Sequence, residues 1–198
     1  KGSVPDNFTS KNKKVALVPN YRMIDMTGDG ESAKYKYFMI KCAEYLKEIN
    51  AMPFLLVHES DVDGELAEEI LHAVGDIPIV RESDALKIKG IIGLCDATIG
   101  SRYHGLVSAL SQGVPSLGTG WSHKYQKLFD DYNFMEGLIS VKISDIELKE
   151  KIDWLVNSRI ENNEKLMRES FVLKKLSESM WEKVFNVIDN AVIRTPRL

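Results

Sequence analysis

The 198-residue sequence predicts an α/β fold built on a parallel sheet, and three observations lead there. Short apolar runs rich in Val, Leu and Ile alternate with amphipathic stretches of about 10–15 residues, the pattern of βαβ units. The composition, 44% hydrophobic and 28% charged, is that of a globular chain with enough apolar side chains for a core. The longest apolar run, 51–57, is interrupted by Pro53 and falls far short of the ~20 residues a membrane helix needs.

The elements follow in order. Residues 1–12 are polar, with Gly2, Pro5, Asp6 and Asn7, and read as a linker. Val15-Ala-Leu-Val18 is a buried strand stopped by Pro19-Asn20. A polar loop runs through Asp25, Gly28, Asp29 and Gly30. The spacing of Tyr37, Ile40, Tyr45 and Ile49 then predicts a helix over 33–50. The alternation repeats: strand 53–57, helix 61–74, strand 77–80, helix 84–95, strand 96–99, helix 103–112, strand 114–117. Right-handed crossovers then give a Rossmann-like doubly wound sheet of order 3-2-1-4-5. After 122–132 the pattern changes, and residues 138–141 are expected to add a short strand. From Ser144, which with Glu147 forms a capping box, the chain is expected to be helical to about Ile193.

In such a sheet, ligands bind outside the carboxyl ends of the strands where the order reverses, here between strands 1 and 4. Two loops meet at that point: Pro19-Asn20-Tyr21-Arg22, and Gly100-Ser101-Arg102-Tyr103-His104-Gly105. Ser101 is expected to cap a helix starting at Arg102 or Tyr103, whose positive end is an anion site. Arg102 adds a planar fork for carboxylate or phosphate, and His104 a group that changes charge near neutral pH. His123 and Lys124 approach from the loop after strand 5. Together these groups suit a small, multiply charged anion.

The net charge of −3 argues against a general nucleic-acid binder. Neither a GxGxxG after strand 1 nor a GxxxxGK[ST] is present, so the usual nucleotide fingerprints are missing. Cys42 and Cys95 stand far apart in apolar contexts and read as free buried thiols in a reducing, cytoplasmic compartment. Asp25–Gly30 resembles a calcium loop only until its twelfth position, which is Lys36 where a bidentate glutamate is needed; it reads as a mobile loop. His58 reads as a polar loop residue and His72 as a helix residue without a second ligand, so no metal site is expected.

The segment from Cys95 to Tyr125 resembles the polysaccharide pyruvyl transferase family. The matching elements are Arg102-Tyr103-His104-Gly105, Ala109-Leu110, Gly113-Val114-Pro115 and the loop ending in Lys124. Tyr103 departs from the leucine or methionine often found at its position. The resemblance implies a C-terminal half of a GT-B-like two-domain enzyme. Its donor is phosphoenolpyruvate, its acceptor a sugar or lipid-linked oligosaccharide, and no further cofactor is used. It implies donor binding by Arg102, His104 and Lys124, with Ser101 and Gly105 beside them and Arg22 as a looser match after strand 1. His104 is the candidate acid or else a phosphate clamp, and Arg102 a catalytic partner that stabilises the leaving phosphate.

On this reading residues 13–143 form the donor-binding domain, and 144–198 are helices packed on the same domain. The chain begins at Lys1 and reads as part of a longer cytoplasmic protein, working at the inner face of the membrane. Its missing N-terminal domain would be its nearest partner, and the fragment alone is expected to bind donor weakly and turn nothing over. Rival readings are a GT-B glycosyltransferase or nucleotide-sugar epimerase, and a non-catalytic anion- or glycan-binding module. The first would want a carboxylate after strand 5 for ribose hydroxyls, and 118–124 holds none. Near the C-terminus, Leu173, Leu176, Met180, Val184, Val187 and Ala191 form one apolar stripe. Trp181, Phe185, Ile188 and Val192 form another beside it. Two stripes exceed what one sheet face covers, so the last helix is expected to seek a second neighbour: the resemblance implies the missing half, and in its absence self-association as a homo-oligomer.

Overall fold

The computed structural model describes residues 12–58 and 61–193; the expected linker, apart from Asn12, lies outside them. Five strands form one all-parallel sheet: β1 (Lys14–Val18), β2 (Met52–Val57), β3 (Ile79–Arg81), β4 (Ala97–Gly100) and β5 (Ser116–Gly118). Their order is β3-β2-β1-β4-β5, as the sequence predicts. Alternate residues of each strand feed opposite faces. Val15, Leu17, Leu55, Val57 and Ile99 point to the layer holding α2 (Asp29–Glu48) and α3 (Asp61–Val74). Ala16, Val18, Phe54 and Leu56 meet Ile88 and Ile92 of α4 (Ala85–Gly93) and Ala109 of α5 (Tyr103–Leu110). Both faces are covered, which is why the strands read as continuous apolar runs. Each fully buried Leu, Ile or Phe contributes on the order of 1.5–3 kcal/mol.

Three local expectations are corrected. The stretch read as a mobile loop is entered by helices from both ends: α1 (Arg22–Asp25) is a single turn, and α2 starts at Asp29, four residues before the expected position. Gly28 is extended at the N-cap, and Asp29 and Glu31 in the first turn favour the positive end of the helix. No strand forms at 138–141. A 3-10 turn, Met135–Gly137, leads instead to one parallel bridge between Gly118 and Leu138, with the Ile139 N–H on the Gly118 carbonyl at 2.9 Å. The C-terminal helical region divides at Ser158 into α7 (Asp145–Asn157) and α8 (Arg159–Ile193).

The capping box forms: the Ser144 hydroxyl accepts the Glu147 N–H, and the Glu147 carboxylate takes the Ser144 N–H. α7 buries Leu148, Ile152, Leu155 and Val156 in the first core layer. The start of α8 is anchored by Leu166 in a third cluster with Tyr125, Phe129 and Phe134. There α6 (His123–Asp131) packs on α5. Beyond Ser170, α8 turns apolar as well as polar side chains to solvent. No helix among the described residues is long and apolar enough to cross a membrane.

Candidate active site

The crevice is built from the strand register. Val18 pairs with Gly100, so the loops after β1 and β4 leave the sheet side by side. A Cβ on Gly100 would lie 2.8 Å from both the carbonyl oxygen and the Cβ of Val18. Any larger residue would force the two strands apart.

Ser101 is the node of the crevice floor, and it is not the helix cap that its position predicts. Its side chain points into the interior and shares a hydroxyl–hydroxyl hydrogen bond with Tyr35 of α2. The cap position passes to Arg102, extended at φ −83° and ψ 115°, with no side-chain capping bond. The Ser101 carbonyl accepts from Asn20 Nδ2 and from the Tyr125 hydroxyl, each at 2.8 Å. The Asn20 N–H donates to Tyr35 Oη at 3.0 Å. Burial drives the Tyr35 phenol well above its ordinary value, against the opposing pull of its bond to Ser101, so it stays protonated. Four elements are thereby locked together beneath the loop that carries Arg102.

Arg102 is fixed by a residue that the sequence patterns did not single out. Its guanidinium pairs with Asp63, whose side chain is 2% exposed against 12% for Arg102. The other Asp63 oxygen accepts the Tyr21 N–H at 2.8 Å. One carboxylate therefore binds the loop after β1 and the arginine after β4. Asp63 sits in the first turn of α3, where the helix dipole favours a negative charge. Its helix follows β2, so it opens at the same carboxyl edge of the sheet; that placement was the available signal.

The remaining predicted residues are placed as follows. His104 is exposed in the first turn of α5, its ring edge-on to Tyr103 at 5.8 Å. Lys124 Nζ lies 4.8 Å from the centre of the Tyr103 ring, 5.5 Å from Tyr125 and 5.7 Å from Trp121. Tyr103 thus adjoins both His104 and Lys124 and draws them to one rim. Neither α5 nor α6 carries an acidic residue in its first turn. Gly105 is buried, with its Cβ position 3.6 Å from both His58 Nε2 and Val18 Cγ1. Arg22 is turned outward: its side chain is 58% exposed and its Nη1 lies 2.6 Å from Asp25 Oδ2. It joins the crevice through its backbone, whose N–H meets Asn20 Oδ1 at 3.1 Å.

Beside this rim lies an open cleft of about 380 Å³, lined by Thr119, Trp121, Ser122, His123 and, across it, Glu31 and Ser140. The Ser122 hydroxyl is buried there without a hydrogen-bond partner among the described residues. Away from the crevice, Cys42 and Cys95 are free and buried. Burial raises both thiols, with the Asp96 charge adding to it at Cys95, which is pushed up to about 12.

The five-stranded all-parallel sheet flanked by helices is a Rossmann-like α/β fold, with the loops after β1 and β4 side by side at its switch point. The chain belongs to the polysaccharide pyruvyl transferase family, whose sequence profile matches residues 4–123. The match takes in both crevice loops and ends one residue before Lys124. Membership carries the family's general activity, pyruvyl transfer in polysaccharide biosynthesis. A search among curated proteins gave no match.

Proposed function

We propose that this chain binds phosphoenolpyruvate at the rim formed by Arg102, His104 and Lys124, for transfer of a pyruvyl ketal to a sugar of a cell-surface polysaccharide or its precursor. The observation that carries the reading is the pairing of Arg102 with Asp63. A guanidinium fixed by a buried carboxylate is held at the carboxyl edge of the sheet without the cost of ordering a free side chain. Phosphoenolpyruvate presents a phosphate and a carboxylate on three carbons, and the rim offers separate basic groups for them.

The chemistry is balanced by two sugar hydroxyls. A proton is added to the methylene carbon of the donor, making it a methyl group. One hydroxyl oxygen attacks the neighbouring carbon and gives up its proton. The bond from that carbon to the phosphate oxygen breaks, and the second hydroxyl closes the ketal. Its proton leaves with the phosphate. His104, exposed at the rim, is the acid for the first step. Arg102 and Lys124 neutralise the departing phosphate. Ser101 serves by holding the loop through its carbonyl and hydroxyl, and Gly105 packs beneath it between Val18 and His58.

The test is phosphate release from phosphoenolpyruvate by the full-length protein in the presence of candidate oligosaccharides, comparing wild type with His104→Asn. Loss of turnover by about 10²–10⁴-fold with donor affinity retained supports His104 as the acid. Turnover at saturation that survives while donor affinity collapses makes it a clamp. Absence of any phosphate release with every acceptor overturns the reading.

A further inference from the structure

Residues 171–188 of α8 carry an exposed apolar surface that the crevice does not use. Phe171, Leu176, Met180, Trp181, Phe185 and Ile188 are each between 50% and 63% exposed, with three exposed valines among them. From Leu176 to Ile188 these positions cover roughly half the circumference of the helix, at 3.6 residues per turn. A solvated helix shows a polar face over most of that arc, and an isolated segment of this length is marginal in water. Trp181 and Phe185 lie side by side with ring centres 5.9 Å apart and planes tilted by 31°, both still more than half exposed.

We propose that this segment pairs with the same segment of a second copy, in antiparallel orientation. Two observations select that occupant. The first is area. Taking about 150–250 Å² for each large side chain, the nine fractional exposures leave on the order of 900 Å² of α8 side chain in water. A standard interface takes about 800 Å² from each partner. The second is charge. Residues 171–175 carry a net charge of +2 from Lys174 and Lys175. Residues 176–189 carry −2, from Glu178, Glu182 and Asp189 against Lys183. Antiparallel pairing sets the basic stretch of one copy against the acidic stretch of the other, whereas parallel pairing sets like against like.

The experiment is sedimentation velocity of the 198-residue chain, alone and as the Trp181→Glu/Phe185→Glu variant. Near-ultraviolet circular dichroism reports that the α/β body remains folded. Wild type is expected to sediment as a dimer, and the variant to raise the dissociation constant by at least about 30-fold. Orientation is read by cross-linking. Lys174→Cys protein mixed with Asp189→Cys protein is expected to join through a short bismaleimide, and Lys174→Cys protein alone is not; Cys42 and Cys95 are buried and do not compete. A monomeric wild type, a dimer indifferent to the double variant, or preferential joining of Lys174→Cys to itself would each overturn the proposal. The first of these would leave the face to a partner of another kind.

Discussion

Asp63 grips Arg102 from a different βα unit, so the arginine at the switch point is positioned by the crossover after β2. Removing either partner leaves a charge in a site that is almost closed to water, at a cost of about 3–5 kcal/mol. Asp63→Ala and Arg102→Ala are each expected to lower the urea midpoint, and the double variant to lose less than the sum. Isothermal titration with phosphoenolpyruvate separates the second role. Arg102→Ala should weaken binding by about 1.5–3 kcal/mol, the range for a charged hydrogen bond. Additive losses in stability would show that the pair is not coupled.

Lys124 owes its position to aromatic faces, with Tyr103 the nearest. Each such contact contributes roughly 0.5–1 kcal/mol at an exposed site. Tyr103→Leu is expected to leave the unfolding midpoint nearly unchanged while reducing donor affinity by a few-fold. Tyr103→Phe keeps the ring and should retain wild-type affinity. Equal loss in both variants would place the effect on the hydroxyl and remove the role of the ring.

Gly100→Ala puts a methyl group where Val18 already stands, at 2.8 Å from its backbone oxygen. Relief requires β1 and β4 to separate, and overpacking of this kind costs about 1–3 kcal/mol. The loss should appear in thermal unfolding and be accompanied by weaker donor binding, because both crevice loops spring from those strands. A variant as stable as wild type would mean that the strands can yield.

The capping box at α7 gives a pH dependence with a definite sign. The Glu147 carboxyl lies below its ordinary value because the Ser144 hydroxyl and N–H both bind its charged form. A depressed folded value means stabilisation that is present above the unfolded value, near 4.3, and lost as pH falls through the folded one. Glu147→Gln should therefore lower the urea midpoint at neutral pH and have a shrinking effect as the medium is acidified. Ser144→Ala should cost about 1 kcal/mol. An effect of Glu147→Gln that grows on acidification would contradict the assignment.

Much of this architecture is legible because its signals are local. Each strand is a short apolar run, three of them stopped by Pro or Gly, and the crossover rules then leave few orders for five strands. The basic rim is legible for the same reason: Arg102 and His104 stand two residues apart at a strand end. Asp63 and Tyr35 lie 39 and 66 residues from their partners, and nothing in their own neighbourhoods marks them. Ser101 looks like a cap in sequence because serine at a helix start usually is one; the buried hydroxyl of Tyr35 outcompetes the helix for it. The early start of α2 was hidden by Gly28 and Gly30, which read as turn residues although Gly30 lies within the first turn of the helix.

The order of the strands also sets the order of assembly. β1 is the middle of the sheet, yet one of its two neighbours is β4, and the bond from the Lys14 N–H to Asp96 spans 82 residues. Until synthesis passes Gly100, β1 presents one unpaired apolar edge, the kind that recruits other chains. Pairings this distant also make folding slow relative to helical bundles, because loop closure precedes the gain in contacts. The crevice forms in that same late step, since Ser101 and Arg102 follow β4 directly. A ribosome-bound chain therefore has its hydrophobic sheet half built and exposed before any part of the anion site exists.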